Sequence, residues 1–293
     1  MTHSKLTLPW QPRKTTAFQV MSDLHLEVGQ QYADFHIKPR ASRLVLAGDI
    51  GRLADYGSFR DFLCTQCENF EAVYLVLGNH EFFGVSHQEG LCLAQKLQEE
   101  PQMKGRLVIL NQKRVDIGDI TILGCTLHSH VPPESEQIVA YKINDFRRIQ
   151  DWTVANHNAE HAADVKWLMD EISLLRSTES GSKRKIVVVT HHAPSIRGTS
   201  KASDEGNPWS SAFGTDLLDG TQRSCLDHVY CWIYGHTNHS SESIRGQVRL
   251  VSNQRGYVLP GQINQQPKGS GGIISKLFGS REHVFDVEKV VEI

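Results

Sequence analysis

Short apolar runs alternate with longer amphipathic stretches along most of this chain. Five runs are almost continuously apolar, as is typical of strands buried on both faces; they cover residues 16–22, 43–47, 72–77, 186–190 and 229–234. Between them, apolar residues recur at helical spacing and predict helices over residues 56–69, 87–100 and 157–176. Strands that alternate with helices indicate an α/β protein with largely parallel pairing.

Other segments show the two-residue period of antiparallel strands. We predict a strand over residues 107–110, a hairpin around Gly118 and Asp119, a second hairpin over residues 242–252 and an edge strand within 283–291. These segments require a mixed sheet or a second sheet. We expect one domain over residues 1–293 with its core at about 16–257. The polar, glycine-containing segment 195–224 is predicted to be a lid or cap, and 265–280 to be mobile.

Composition narrows the class of protein. The 293 residues are 39% hydrophobic and carry a formal charge of −2, which argues against broad attraction to nucleic acid or membranes. The sequence contains neither a signal-like segment nor an apolar run of about 18 residues, so we expect a cytoplasmic protein. Cys64 and Cys67 form a C-x-x-C pair inside a helix-like stretch and are expected to be ordinary apolar residues. Fifteen histidines favour metal or acid–base chemistry.

Each of the five buried runs is followed at its carboxyl end by potential ligands. These are Asp23 and His25, Asp49, Asn79 and His80, His191, and His236. Singly, each has another explanation, because a buried Asp can cap a helix and a buried His can bond to backbone. Gathered at the same end of one sheet, as we expect, they would repel or stay unsatisfied unless cations held them.

The donors are too many for one ion and predict a pair of divalent ions that share a carboxylate. Mixed Asp, Asn and His ligands without Cys favour Mn, Fe or Zn. Such a pair would provide a bridging hydroxide to attack phosphorus, while a nearby imidazole protonates the leaving oxygen.

These motifs resemble, in their order, the five motifs of the calcineurin-like metallophosphoesterase superfamily over residues 16–257. They read Asp23-x-His25, Gly48-Asp49, Gly78-Asn79-His80-Glu81, His191 and Gly235-His236. The resemblance implies a four-layer α/β-β/α sandwich with two mixed β-sheets flanked by helices. It also implies that Asp23 and His25 bind one metal, that Asp49 bridges, and that Asn79, His191 and His236 bind the other. His80 would be the acid or would orient the phosphate.

The sequence departs from the family pattern at two places. The superfamily's last motif has a second His as a ligand of the first metal, where this chain has Asn238; an amide oxygen is a weaker donor, and His239 is the alternative. Many members carry an acid three residues after the bridging Asp, where this chain has Arg52. His80 could instead pair with Glu81 or Asp55, and Arg52 could face the phosphate. His192 is the alternative to His191, which we prefer because it directly follows the strand.

Weaker candidates surround these motifs. Candidate phosphate contacts are Arg147, Arg148 and Arg255; possible pocket residues are His128 and His130; possible stacking residues are Trp209, Phe213 and Tyr257. The favoured function is hydrolysis of phosphomonoesters or phosphodiesters, on a small phosphorylated or nucleotide-like substrate. The alternative is a degenerate relative with an impaired first metal site that acts as a binding or scaffold protein. A protein serine/threonine phosphatase is disfavoured, since Leu77 and not Arg precedes Gly78. Neither nucleic acid, a membrane nor a protein partner is expected.

Overall fold

The computed structural model describes residues 15–219, 223–259 and 284–293, which form two β-sheets with helices on their outer faces. The strands are β1 (Ala17–Met21), β2 (Arg43–Ala47), β3 (Ala72–Val76), β4 (Leu107–Ile109), β5 (Lys113–Ile117), β6 (Ile120–Cys125), β7 (Lys185–Thr190), β8 (Val229–Tyr234), β9 (Glu242–Arg245), β10 (Val248–Ser252) and β11 (Val290–Glu292). The helices are α1 (Tyr56–Asn69), α2 (His87–Glu99), α3 (Glu136–Lys142), α4 (Asp145–Arg148), α5 (Val154–Ser177), α6 (Glu179–Ser182) and α7 (Arg223–Leu226).

The first sheet has the order β11-β1-β2-β3-β4, and the second has the order β5-β6-β7-β8-β10-β9. Strands β1 to β4 are parallel to one another, and β11 pairs antiparallel with β1 at the edge. In the second sheet β6, β7, β8 and β10 are parallel, while β5 and β9 are antiparallel edges. Both sheets are therefore mixed.

Side-chain alternation along the strands builds the layers. In β2, Val45 and Ala47 face the second sheet, whereas Leu44 and Leu46 pack with the residues of α1 and α2. Residues of both sheets share one apolar cluster, which includes Val20 of the first sheet and Val187, Val189 and Ile233 of the second. The outer face of the second sheet packs on Leu168, Ile172 and Leu175 of α5. The predicted four-layer α/β-β/α sandwich is confirmed.

Most predicted elements are confirmed, with shifts at their ends. Helix α5 begins three residues earlier than predicted, because Thr153 and Asn156 form a capping box that fixes its first turn. Both hairpins are present, and the C-terminal edge strand is confirmed as the short β11. Segment 265–280 lies outside the described residues. The one-domain boundary stays a prediction. Within the described ranges, no helix is both long and apolar enough to span a bilayer.

Candidate metal centre

The carboxyl ends of strands from both sheets meet at one place. The first sheet supplies Asp23, Asp49 and Asn79 after β1, β2 and β3, and the second supplies His191 and His236 after β7 and β8. The expectation that all five ends lie on one sheet is wrong. Strands buried on both faces have the same sequence pattern in either sheet, so the pattern could not assign them. Backbone bonds join the loops, since Asp23 N donates to Gly48 O and Gly235 N donates to His191 O.

The backbone at this junction adopts the left-handed conformation at several residues other than glycine. The φ angle is 51° at Asp23, 46° at His25, 55° at Asp49, 72° at His236 and 49° at Asn238. Asp, Asn and His enter this region more readily than other residues, although each instance still costs on the order of 1 kcal/mol. The turns redirect the strand-end side chains towards one another.

Two glycines permit the close approach of His191. A Cβ at Gly48, which has a φ of 86°, would collide with the His191 ring. A Cβ at Gly78 would collide with Asp49 Oδ1 and lie 2.9 Å from His191 Cε1. The Gly-Asp and Gly-Asn pairs of the sequence are thus explained by packing around one imidazole.

Three electron-pair donors from other residues converge around His191. Its Nδ1 donates to the Ala47 carbonyl at 3.0 Å, which leaves Nε2 to carry the lone pair of the neutral ring. That Nε2 lies 3.2 Å from Asp49 Oδ1, 3.0 Å from Asn79 Oδ1 and 3.0 Å from His236 Nδ1. Asp145 accepts the Asn79 amide N–H at 2.7 Å, which turns the Asn79 oxygen towards His191. Such a set fits a divalent cation.

The electrostatics of this set favour positive charge. Burial alone would lower the pKa of His191, but the charge and hydrogen bond of Asp49 outweigh it and raise the pKa to about 10. Burial and the neighbouring His191 hold the pKa of His236 well below its usual range, so its ring stays neutral. Burial raises the pKa of Asp145 to about 6. A proton on His191 and a metal ion are alternative ways to place positive charge beside Asp49.

The candidate ligands of the other ion lie on the β1 side. Ligand atoms of Asp23, Asp49 and His191 lie within 4.8 Å of one another, and both Asp23 oxygens accept His236 N–H. Neither nitrogen of the buried His25 ring makes a hydrogen bond within the described part of the chain; Glu27 Oε1 is 3.5 Å from Nδ1. Two buried ring nitrogens without a hydrogen bond, near the Glu27 carboxylate, fit a metal ligand.

Asn238 is less well placed. Its side chain is exposed, and a Cβ added at Gly256 would lie 3.4 Å from its Oδ1. Gly256 N in turn donates to the Asp23 carbonyl, so the Asn238 loop borders the β1 end of the centre. The backbone N–H of His239 donates a hydrogen bond to Gln254 Oε1 at 3.3 Å. Ligation by Asn238 stays a prediction.

His80 is held between an acid and a phenol. Its Nδ1 lies 2.7 Å from Glu27 Oε1, its Nε2 lies 2.9 Å from Tyr257 Oη, and Nε2 is 3.8 Å from Asp49 Oδ2. Burial lowers the pKa of His80, but Asp49 and Glu27 outweigh it and raise the pKa to about 9. Burial opposes ionisation of Glu27, yet the 3.5 Å contact with His25 Nδ1 and the hydrogen bond with His80 lower its pKa to about 2. His80 is therefore an imidazolium at neutral pH.

The two acids proposed from the sequence as partners of His80 have other roles. Asp55 forms a bidentate pair with Arg52, with bonds of 2.9–3.1 Å, so Arg52 is also committed to that pair. Glu81 accepts backbone N–H groups from Gly78 and from residues 49–51 at 2.6–3.3 Å. Glu81 thus fixes the loops after β2 and β3 to each other, and Glu27 supplies the acid.

Glu27 and Asp145 were missed in the sequence, although both carried a signal. Glu27 continues the two-residue alternation of Asp23 and His25, which places a third polar side chain on the same side. The only sequence signal at Asp145 is its position after Asn144, at the start of a short helix. Its contact with Asn79 spans 66 residues and depends on the tertiary fold.

The adjacent histidines His191 and His192 share His236 as a neighbour but differ in their other contacts. His192 packs its ring against His128 and His157, with ring centres 5.4 and 5.6 Å away, and against His236 at 4.0 Å. Donor atoms of three other residues converge on His191, and its assignment as the ligand in place of His192 stays a prediction. His130 is exposed and donates its backbone N–H to Thr215.

The weaker candidates separate into structural and site-facing residues. Arg147 bonds to the Tyr141 carbonyl and to Asn144, and Arg255 bonds to the Leu24 carbonyl and to Gln31; both therefore brace loops. Arg148 is exposed and lies 5.0 Å over the Phe83 ring, whose centre is 4.2 Å from that of His80. Tyr257 stacks on His25 at 4.0 Å.

The predicted lid segment lies against the centre. The Phe213 ring is 5.0 Å from the ring of His236. A cavity of about 160 Å³ opens between this segment and the β8 loop, and its lining includes Thr199, Trp209, Phe213 and Thr237. The segment thus walls one side of the centre; its motion as a lid stays a prediction.

Comparison with known proteins agrees with the fold. The family model of the calcineurin-like phosphoesterases matches residues 18–239, and the chain belongs to this family. An uncharacterised protein of Acanthamoeba polyphaga mimivirus is 25% identical over 252 residues, which cover 81% of this chain and 90% of that protein.

Two solved structures extend the comparison. Phosphopantetheinyl hydrolase from Mycobacterium tuberculosis has a TM-score of 0.60 and 17% identity over 83% of this chain and 90% of its own, a likeness of fold. A dimetal phosphatase from Danio rerio has a TM-score of 0.45 and 13% identity over 81% of this chain and 86% of its own.

Proposed function

We propose that this protein is a metal-dependent phosphoesterase that hydrolyses phosphomonoester or phosphodiester bonds at a dinuclear centre. The observation that carries the proposal is the convergence of Asp49, Asn79, His191 and His236 beside His80, whose Nε2 lies 3.8 Å from Asp49 Oδ2. Asp23, His25 and Asp49 would hold the first ion, with Asn238 as the weak fourth ligand. Asp49, Asn79, His191 and His236 would hold the second.

The ions would supply acidity to a water molecule and positive charge opposite the phosphoryl oxygens. The other roles fall to the chain itself. His80, held in its imidazolium form by Glu27, donates a hydrogen bond to a phosphoryl oxygen or a proton to the leaving oxygen. Asp145 fixes the amide orientation of Asn79, and Glu81 fixes the loops that carry Asp49 and Asn79.

The cavity beside His236 supports a small substrate with an organic group. Trp209 and Phe213 offer aromatic faces there, and Thr199 and Thr237 offer hydroxyl groups. The Mycobacterium tuberculosis neighbour is named for hydrolysis of a phosphopantetheinyl group, so a phosphopantetheine ester belongs in the substrate panel. Arg148 is the candidate side chain for an additional phosphate contact.

The first test is a rate assay on purified protein loaded with Mn²⁺. It compares a chromogenic phosphodiester with the matching monoester, and wild type with His80→Asn. We expect turnover that falls by about a hundredfold or more in the variant, because a general acid typically contributes that much. The ratio of the two rates selects the ester class. Absence of turnover on both esters and on phosphopantetheine, with two ions bound per chain, would contradict the proposal.

The alternative is a degenerate relative in which Asn238 has weakened the first site, so that the protein binds but does not hydrolyse. Asn238→His tests it, because imidazole is a stronger ligand than an amide oxygen. If the wild type is an enzyme with a weak first site, the variant needs less Mn²⁺ for half-maximal rate. If the wild type binds one ion and is inactive, while the variant binds two ions and hydrolyses substrate, the protein is a degenerate relative.

A further inference from the structure

A second group of histidines lies behind the metal centre. His128 follows β6, His157 lies in the first turn of α5, and His192 follows β7; all three are at most 2% exposed. Their ring centres are 5.0, 5.4 and 5.6 Å apart and form a nearly equilateral triangle. One ring nitrogen from each lies within 4.8 Å of the others.

Several nitrogens in this triangle are buried without a partner. Nδ1 of His128, Nδ1 of His157 and both nitrogens of His192 make no hydrogen bond to any described residue. Such groups cost about 1–3 kcal/mol each when nothing satisfies them. The indole N–H of Trp152 is buried and unpaired in the same sense, and its ring centre is 5.4 Å from that of His128. This concentration of unpaired nitrogen needs an explanation that packing does not give.

The size of the triangle matches an imidazole-bound ion. Zinc binds histidine nitrogen at about 2.0–2.1 Å in tetrahedral geometry, which places the centres of three ligating rings about 5 Å apart. Burial also keeps the rings of His128 and His157 neutral, with the pKa of His157 lowered to about 3 and that of His128 well below the usual range. Their lone pairs are therefore available at neutral pH.

A hydrogen-bond acceptor is in place for His157. Its Nε2 accepts the Ser129 N–H at 3.2 Å and lies 3.0 Å from Ser129 Oγ. With an ion at Nδ1, the ring proton would lie on Nε2 and would be donated to Ser129 Oγ. This hydrogen bond would replace the one from the Ser129 N–H to Nε2. Acceptors of this kind commonly orient metal-bound histidines.

We propose that His128, His157 and His192 form a separate site for one zinc-like transition-metal ion, with a water molecule as the fourth ligand. The site differs chemically from the dinuclear centre, because it contains imidazoles and no carboxylate. The ion cross-links the loop after β6, helix α5 and the loop after β7. Binding of this ion does not require that the protein hydrolyse a phosphate ester.

The test is a zinc titration of the full chain after chelator treatment. His128→Phe keeps an aromatic ring and removes an unpaired nitrogen, so we expect the metal-free midpoint of thermal unfolding to be unchanged or higher. After desalting, the variant should hold one zinc fewer per chain than wild type. It should also gain less thermal stability from added zinc, because an ion that binds only the folded state stabilises it.

His87→Phe is the matched control. His87 is a half-buried member of the same ring cluster, 6.0 Å from His128, but it is outside the triangle. It should keep wild-type zinc content and the full thermal response. Should His128→Phe fail to fold, His157→Gln provides the same comparison. Equal zinc content in wild type and a folded triangle variant would overturn the proposal.

Discussion

His80 owes its protonation to residues that are distant in sequence. Glu27 and Asp49 raise its pKa to about 9, and Glu27 is 53 positions away. Replacing Glu27 by Gln removes a negative charge and lowers that pKa. Because the acid form is the active one, the alkaline limb of the kcat/KM profile should move to lower pH, and the rate at pH 8 should fall about tenfold.

The control for this prediction is Asp55→Asn. Asp55 was a candidate acid from the sequence, but its carboxylate bonds to Arg52. Its loss should leave the alkaline limb in place. A Glu27→Gln profile that superimposes on that of wild type would exclude the proposed acid–base pair.

The same shifts predict how stability depends on pH after chelator treatment. His80 and His191 have folded-state pKa values of about 9 and about 10, above the ordinary 6.5. Their stabilising effect is complete below about pH 6.5 and is lost as pH rises through 9 to 10. The free energy of unfolding from urea titrations should fall over that range. Saturating Mn²⁺ should flatten the dependence, because an ion replaces the proton beside Asp49.

Among individual residues, the sequence was enough to predict the positions of those that directly follow the end of a strand. Asp49 and Asn79 come directly after apolar runs, so local pattern was enough. Glu27 and Tyr257 meet His80 only because three distant loops converge. Asn238 stays a predicted ligand from its motif position, and its side chain is exposed.

Among the elements, the paired loops after β2 and β3 depend on one buried carboxylate. Glu81 accepts four backbone N–H groups. Glu81→Gln would set an amide N–H against these donors and lose at least one charge-assisted bond. We expect a loss of about 2–4 kcal/mol in the free energy of unfolding, measured by urea denaturation. Metal affinity should fall with it.

The matched control is Glu89→Gln on α2. Glu89 is exposed in the first turn of that helix. We expect a change below about 1 kcal/mol from the weaker helix-dipole interaction. Similar losses in both variants would mean that Glu81 acts only through its general charge.

Element type was predictable because period and length distinguish strands from helices. Sheet membership was not, because β3 and β7 have equally apolar sequences although they lie in different sheets. The two-sheet arrangement came from the family resemblance. Physical reasoning from the hairpins left a mixed sheet and a second sheet equally open.

For the whole molecule, the last strand closes the first sheet beside the strand that carries Asp23. Val291 and Ile293 are buried in the cluster between the sheets. A variant that ends at Lys289 should lose about 3–5 kcal/mol of unfolding free energy, because each buried aliphatic side chain contributes about 1.5–3 kcal/mol. Thermal and urea unfolding measure the change.

The comparison variant is Glu292→Ala, which alters an exposed side chain of the same strand. It should be nearly neutral. A truncated chain as stable as wild type would show that β11 adds little to the sandwich.

The left-handed backbone at the strand ends is strained for residues other than glycine, although it turns their side chains towards the candidate metal centre. Asp23, His25, Asp49 and His236 occupy conformations that glycine adopts without strain. Any procedure that redesigns this chain for stability alone would replace these residues first and would erase the centre. Conversely, non-glycine residues with positive φ just after buried strands mark this edge of the sandwich without homologues and without a ligand, and in this chain they also include Leu127 and His128 after β6.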